Sequence, residues 1–160
     1  MNFKFTEENL VRIDQELKKY PVKKPAVMAA LYIGQEQNGY ISNEVINEVA
    51  NVLELTPEEV YGVVTFYTMY HQKPMGKNHI QVCTNVSCML RGGYEIWDQV
   101  KEELGIDNLE VTEDSIFSLE EVECMGSCGT APMIAVNEDY YENLNSEKVA
   151  GILKSLKNGN

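Results

Sequence analysis

Between Thr6 and Tyr70, hydrophobic residues recur every three or four positions, which is the spacing of amphipathic helices. Each predicted helix begins at a suitable residue: Thr6 and Ser42 as N-caps, Pro25 in a first turn, and Thr56 as a cap that Glu59 completes to a capping box. The positions expected to face inward are Leu10, Ile13 and Leu17, then Val27, Ala30, Leu31 and Gly34, then Val45, Ile46, Val49 and Leu53, and finally Val60, Val63, Val64 and Tyr67.

The pattern changes after residues 71–78, which have the composition of a linker. Strands are predicted from alternation, and helices from apolar positions at helical spacing. The predicted elements are a strand at 79–83, a helix at about 89–104, strands at 115–123 and 133–136, a hairpin partner at 140–141, and a last helix through Val149, Ile152, Leu153 and Leu156. We therefore predict an α+β protein, with a small helical bundle at residues 1–75 and an α/β domain at residues 76–160 in the order β-α-β-β-α.

Composition and charge narrow the classes of function. The chain has 160 residues, of which 44% are hydrophobic and 24% charged, as in globular proteins. A net charge of −12 argues against binding to nucleic acid or anionic lipid, and it permits a partner with a basic surface. The sequence contains no signal peptide and no apolar run of the ~20 residues that cross a bilayer. We expect a protein of the reducing cytoplasm, where structural disulfides are rare.

Four cysteines carry the candidate chemistry, in the pattern C-x4-C-x35-C-x3-C: Cys83, Cys88, Cys124 and Cys128. Each falls at the end of a predicted element, so loops on one rim of a small sheet could bring them together. Four thiolates suit a [2Fe–2S] cluster or a structural zinc ion, and disulfides or free thiols are a third alternative. The C-x-x-C spacing of catalytic dithiols is absent.

The residues around the cysteines favour the cluster among these alternatives. Glycines let the backbone pass close to a bulky ligand and leave N–H groups for its sulfurs, hydroxyls could donate further hydrogen bonds, and apolar residues would exclude water. These residues are Gly126 and Gly129, Thr84 and Ser127, and Met89, Met125 and Pro132.

Several longer segments carry a family resemblance. They are CTNVSCML (83–90), VECMGSCGTAPMI (122–134), NEDYYENL (137–144), VYGVVTFYTMY (60–70) and ALYIGQEQNGYIS (30–42). Together they resemble the small [2Fe–2S] subunit of respiratory NADH:quinone oxidoreductase, which is also called complex I. The resemblance covers nearly the whole chain.

The resemblance implies a thioredoxin-like C-terminal domain in which Cys83, Cys88, Cys124 and Cys128 bind one [2Fe–2S] cluster. It implies an electron-transport subunit of an oxidoreductase with no catalytic residues of its own. Its implied partners are a larger subunit that binds NADH and FMN, with which the cluster exchanges one electron, and other subunits of the peripheral arm. The implied location is the cytoplasmic side of the inner membrane, without insertion into it.

Two alternatives to this function stay open at this point. The first is the equivalent subunit of an NAD-linked or bifurcating hydrogenase or of a formate dehydrogenase, since these share the cysteine pattern. The second is a zinc-stapled module for protein interaction. Since neither G-x-G-x-x-G nor a P-loop occurs, we expect the chain itself to bind neither NADH nor flavin.

The remaining candidate residues have ordinary structural explanations. For His71 and His79 a metal-binding role is not expected, because four cysteines already complete a site. Trp97 lies at core spacing on a predicted helix. Tyr61, Phe66, Tyr67 and Tyr70 exceed what one thin bundle needs, so they could serve either as core or as a partner interface.

Overall fold

The computed structural model describes residues 3–159 and divides into two compact units, the first ending at Pro74 and the second beginning at Met75. The first unit is helical and the second is built on a mixed sheet. The predicted α+β class is confirmed. Within residues 3–159, no helix is both long and apolar enough to cross a membrane.

Four helices form the first unit: α1 (Glu7–Leu17), α2 (Val27–Asn38), α3 (Asn43–Leu53) and α4 (Pro57–Phe66). The predicted caps are confirmed, because the side chains of Thr6 and Ser42 each accept a hydrogen bond from the first turn of a helix. Thr56 and Glu59 form the predicted capping box of α4. Local sequence signals therefore fix where these helices start.

The core of this unit is formed by aliphatic side chains that all four helices contribute. On α1, Ile13 is only 1% exposed, whereas Leu10, which we expected to face inward, is 39% exposed. The reason is that α1 packs mainly on α2, so only a narrow stripe of its surface is covered. Pro25 also differs slightly from expectation, since it lies in a 3-10 turn (Lys24–Ala26) ahead of α2.

The second unit contains a five-stranded sheet in the order β2-β3-β1-β4-β5. Its strands are β1 (Asn78–Cys83), β2 (Glu110–Val111), β3 (Phe117–Val122), β4 (Ile134–Val136) and β5 (Asp139–Tyr141). The central strand β1 is parallel to β3 and antiparallel to β4, and β4 and β5 form the predicted hairpin. The two-residue β2 was not predicted, because alternation cannot be recognised over so short a segment.

Three helices complete the second unit: α5 (Val86–Met89), α6 (Gly93–Leu104) and α7 (Ser146–Lys157). The helix predicted at about 89–104 is present as α6 and ends at Leu104 as expected, but it does not begin at residue 89. The chain instead breaks between α5 and α6 at Gly92, whose φ of +93° suits glycine. The hydrophobic core lies on one face of the sheet, where side chains of β1, β3 and β4 pack against α6 and α7.

Candidate metal centre

All four cysteines lie at or shortly after the edge of the sheet where strands β1 and β3 end. Cys83 is the last residue of β1, and in the parallel register it lies opposite Val122, the last residue of β3. Because β1 and β3 are parallel, the segments that leave them start side by side. The first segment leads into α5, which contains Cys88, and the second contains Cys124 and reaches Cys128 at a 3-10 turn (Cys128–Thr130).

The four cysteines are free thiols that form two pairs. Cys83 and Cys88 are each 3% exposed, pack with Ala131 and Met133, and lie close enough for the Cys83 thiol to influence that of Cys88. Cys124 and Cys128 are exposed, with 3.5 Å between their Sγ atoms. The site thus has a buried half and a half open to solvent.

Burial also changes the acidity of the inner pair. It raises the pKa of the Cys88 thiol to about 11, because a thiolate loses its hydration there, and the Cys83 thiol beside it acts in the same direction. The backbone N–H of Met133 donates to the Cys88 sulfur and partly opposes this shift. A bound metal would replace the thiol proton and hold the sulfur as thiolate.

The residues present fit a [2Fe–2S] group. Such a cluster takes four cysteine sulfurs, two for each iron, and the structure supplies two pairs. Among residues 3–159, no three His, Cys, Asp or Glu side chains already converge on a single metal position. Two pairs of sulfurs supply the two ligands that each iron of such a cluster requires.

Two glycines allow the backbone to pass close to the cysteine residues. A Cβ at Gly93 would lie 2.8 Å from the carbonyl carbon of Cys88 and 3.0 Å from the carbonyl oxygen of Cys83, so only glycine fits there. Gly126 has a φ of +84°, and its N–H donates to the Cys124 sulfur at 3.4 Å, as predicted for an N–H near the sulfurs. The side of Gly126 where a Cβ would stand is open.

The hydroxyls expected to donate to sulfur instead donate to carboxylates. Thr84 Oγ1 donates to Glu121 Oε1 at 2.7 Å, and the hydroxyl of Ser127 donates to Glu142. The expectation that these two hydroxyls face the sulfurs is therefore wrong in this structure. A carboxylate is the stronger acceptor, and it draws the hydroxyl proton toward itself.

Sequence analysis missed the carboxylates that hold the cysteine segments. Glu121 and Glu123 accept hydrogen bonds from Thr84 and from the amide of Asn85, which connects the segments after β1 and β3. Glu142 accepts from the segment that contains Cys128. These partners are 12 to 38 residues apart along the chain, so periodicity and local motifs contain no signal for them.

The shielding residues differ in how far they cover the cysteines. Pro132 is buried, and Met125 packs against the buried side chains of Cys83 and Cys88. Met89, which we expected to exclude water, is largely exposed. Protection from water is therefore concentrated on the inner pair.

Other candidate residues lie in the core or on the surface of their unit. His79 is buried, with Nδ1 2.9 Å from Ser118 Oγ and Nε2 3.0 Å from Glu120 Oε2, so it is a hydrogen-bonded core histidine. The backbone N–H of His71 donates to Gln35 Oε1 at 2.8 Å. Trp97 belongs to the core of the second unit, as predicted.

The aromatic set of the helical unit divides into two groups. Tyr70 is buried, with its hydroxyl donating to the Met28 carbonyl at 3.0 Å, and Tyr67 packs at the edge of the core. Tyr61 and Phe66 are 49% and 76% exposed. Core packing thus explains the first pair and leaves the second pair at the surface.

The sequence is similar to known proteins of one family over most of its length. The family model of thioredoxin-like [2Fe–2S] ferredoxins matches residues 13–157. The NADH-quinone oxidoreductase E-subunit of Rickettsia bellii is 47% identical over 98% of this chain and 96% of its own length. NADH dehydrogenase [ubiquinone] flavoprotein 2, a mitochondrial protein of Dictyostelium discoideum, is 43% identical over 98% of this chain and 64% of its own length.

One solved structure shows the same fold at low identity. An NAD+-reducing [NiFe]-hydrogenase in the H2-reduced state matches with a TM-score of 0.73 and 18% identity, covering 83% of this chain and 22% of the hydrogenase chain. The family model and the two relatives together cover nearly all of the chain, including the four cysteines at the sheet edge. The chain therefore belongs to the thioredoxin-like [2Fe–2S] ferredoxin family.

Proposed function

We propose that Cys83, Cys88, Cys124 and Cys128 hold a [2Fe–2S] cluster and that the chain works as the electron-transfer subunit of an NADH-quinone oxidoreductase. The observation that carries the proposal is the placement of four free thiols, in two pairs, beside the ends of two parallel strands. When bound, the cluster supplies a site that takes up and releases one electron.

The protein contributes a different environment to each half of the site. Cys83 and Cys88 are buried and fix the inner half, while Cys124 and Cys128 are exposed to solvent, where a partner can approach. The carboxylates of Glu121 and Glu123 add negative charge beside the segments, which favours the oxidised cluster and so a low reduction potential. The chain acts by positioning an electron carrier, and it performs no bond chemistry on a substrate.

The partner we propose is a larger subunit that binds NADH and FMN, joined by other subunits of a peripheral arm on the cytoplasmic side of the inner membrane. The Rickettsia bellii relative, similar over nearly its whole length, supports the placement in such a complex. A net charge of −12 favours a partner surface rich in lysine and arginine. We also propose that residues 1–75 and 76–160 are separate domains, because the chain divides between Pro74 and Met75.

The test of the cluster is anaerobic purification with metal and sulfide analysis. We expect about two irons and two acid-labile sulfides per chain, and a rhombic electron paramagnetic resonance signal after reduction with dithionite. Cys124→Ser should lose or destabilise the cluster and leave the helical unit folded, as followed by circular dichroism. Val86→Ala is the matched control, because Val86 is an exposed residue of α5 that offers no ligand atom. A colourless protein with one zinc ion and no signal would refute the proposal.

The test of the partner is recovery of the complex through a tag on this chain. We expect an FMN-containing subunit to co-purify and to reduce the cluster when NADH is added. Recovery of hydrogenase subunits instead would assign the chain to another host complex. Recovery of the loaded chain without any flavoprotein would contradict the proposed partner while leaving the cluster intact.

A further inference from the structure

Strand β5 and the segment that follows it hold the loop between Cys124 and Thr130. The N–H of Asn143 donates to the Thr130 carbonyl at 2.7 Å, and the hydroxyl of Tyr140 donates to the Met125 carbonyl at 3.2 Å. These two contacts bracket Glu142 in the sequence. Glu142 therefore lies between two residues that each bond to the loop.

Glu142 contacts the loop through one carboxylate oxygen. Its Oε1 accepts hydrogen bonds from the hydroxyls of Ser127 and Thr130, the latter at 2.6 Å, and the two hydroxyl oxygens are 2.8 Å apart. Hydrogen bonds to an ionised carboxylate are about twice as strong as those between neutral groups. Ser127 directly precedes Cys128 and Thr130 follows it by two residues, so the two contacts lie on either side of this cysteine in the sequence.

The loop has little regular structure to maintain its shape. Between the end of β3 at Val122 and the start of β4 at Ile134, the only helical element among the described residues is the single 3-10 turn Cys128–Thr130. Its internal backbone bonds are few, among them the N–H of Thr130 donating to the Ser127 carbonyl at 3.1 Å. Side-chain contacts such as that of Glu142 must therefore supply much of its order.

We propose that Glu142 is a positioning residue that holds Cys124 and Cys128 at the separation and orientation required for two ligands of one iron. It touches neither sulfur, and it acts through Ser127 and Thr130. Its effect on a cluster rests on the proposed function, whereas its effect on the loop does not. The experiment therefore measures the two effects separately.

Hydrogen–deuterium exchange of the chain as purified measures the loop. Glu142→Ala should raise the exchange rate of the hydrogen-bonded loop amides, those of Gly126 and Thr130, by at least about tenfold, because two charge-assisted hydrogen bonds to the loop are lost. Glu142→Gln should raise the rate less than Glu142→Ala does, because an amide oxygen still accepts from both hydroxyls but without the charge. Glu138→Ala is the matched control, since Glu138 carries the same charge on the nearby hairpin and, within residues 3–159, its side chain contributes no hydrogen bond to the loop.

Chelation and paramagnetic resonance measure the cluster. In Glu142→Ala we expect iron loss to a chelator to accelerate about tenfold, as for other residues that orient metal ligands, together with shifted g values. Glu142→Gln should retain the g values of the parent and raise the reduction potential, because one negative charge is removed. A purely structural role elsewhere in the fold would not shift the g values.

The outcomes separate the two proposals. If the parent binds no cluster but Glu142→Ala still raises exchange in the loop, the proposed function fails, the role of Glu142 toward an iron fails with it, and only its ordering of the loop stands. If the parent binds a cluster and Glu142→Ala changes neither loop exchange nor g values, the positioning role is overturned. Should Glu142→Ala fail to fold, Thr130→Val removes a hydroxyl from the other side of the contact, and unchanged exchange in that variant overturns the role equally.

Discussion

Replacing Gly93 by alanine is expected to remove the cluster through a steric effect on two cysteines at once. Gly93 is the first residue of α6, and it contacts the main chain at both Cys83 and Cys88. An added Cβ would lie 2.8 Å and 2.9 Å from the carbonyl carbon and oxygen of Cys88, and 3.0 Å from the carbonyl oxygen of Cys83. The atoms in contact belong to the backbone, so no side-chain rotation can relieve the overlap.

The size of the displacement follows from these distances. Carbon atoms in ordinary contact are about 3.5–4.0 Å apart, so α6 and the cysteine segments must separate by roughly 0.5–1 Å. Metal sites tolerate errors of only about 0.2 Å in ligand distance. Overpacking of this kind costs about 1–3 kcal/mol of unfolding free energy. The gain in helix propensity is small, because Gly93 is at the first position of its helix.

The assay compares Gly93→Ala with Gly151→Ala after anaerobic reconstitution. Gly151 lies inside α7, and a Cβ there would meet nothing within 4 Å. We expect Gly151→Ala to keep its iron and sulfide and to gain roughly 0.5–1 kcal/mol of stability. Gly93→Ala should lose most of its iron and show a lower midpoint of thermal unfolding. A Gly93→Ala protein with a full cluster and unchanged g values would refute the reasoning.

Two further predictions concern the helical unit. Thr56→Ala should lower the unfolding free energy by about 1 kcal/mol in urea titration, because it removes half of the capping box of α4. Thr65→Ala is the control, since Thr65 lies in the same helix and its hydroxyl donates to the Tyr61 carbonyl without capping the helix. An equal loss in the control would contradict the capping explanation. Burial, reinforced by Tyr32 and Tyr67, raises the pKa of Tyr70 from 10.0 to about 12. The neutral phenol therefore contributes its full share of the unfolding free energy below pH 10, and this share is lost as the pH rises through 12. Tyr70→Phe should therefore be less stable than the parent at pH 7 by about 1 kcal/mol, because the Met28 carbonyl loses its hydrogen-bond donor. This difference in unfolding free energy should shrink between pH 10 and pH 12. A constant difference would show that Tyr70 does not titrate in that range.

Local signals in the sequence predicted the helix starts well. Thr6, Ser42 and Thr56 cap their helices as expected, because a cap depends on residues only three positions apart. The break at Gly92 was missed because apolar spacing continues across it, and only the backbone conformation reveals it. Strand β2 was missed because alternation cannot be recognised over only two residues, although its partner β3 follows soon after it in the sequence.

The cysteines themselves were recognised from their number and from their place at the ends of elements. That β1 and β3 are parallel neighbours, which brings the two segments together, depends on tertiary packing. The same holds for the carboxylates of Glu121, Glu123 and Glu142, whose partners lie far along the chain. Whether the four cysteines are the ligands stays a prediction until the metal analysis is done.

With Cys83 as a proposed ligand, the six-residue parallel register that ends with Cys83 opposite Val122 would link cofactor loading to correct folding. A slip of one residue would shift β1 along β3 by about 3.3 Å and turn its side chains to the opposite face of the sheet. Chains paired in that way would present Cys83 to the wrong side and stay colourless. The visible absorbance of a preparation would then report the fraction of molecules whose central strands are paired in the correct register.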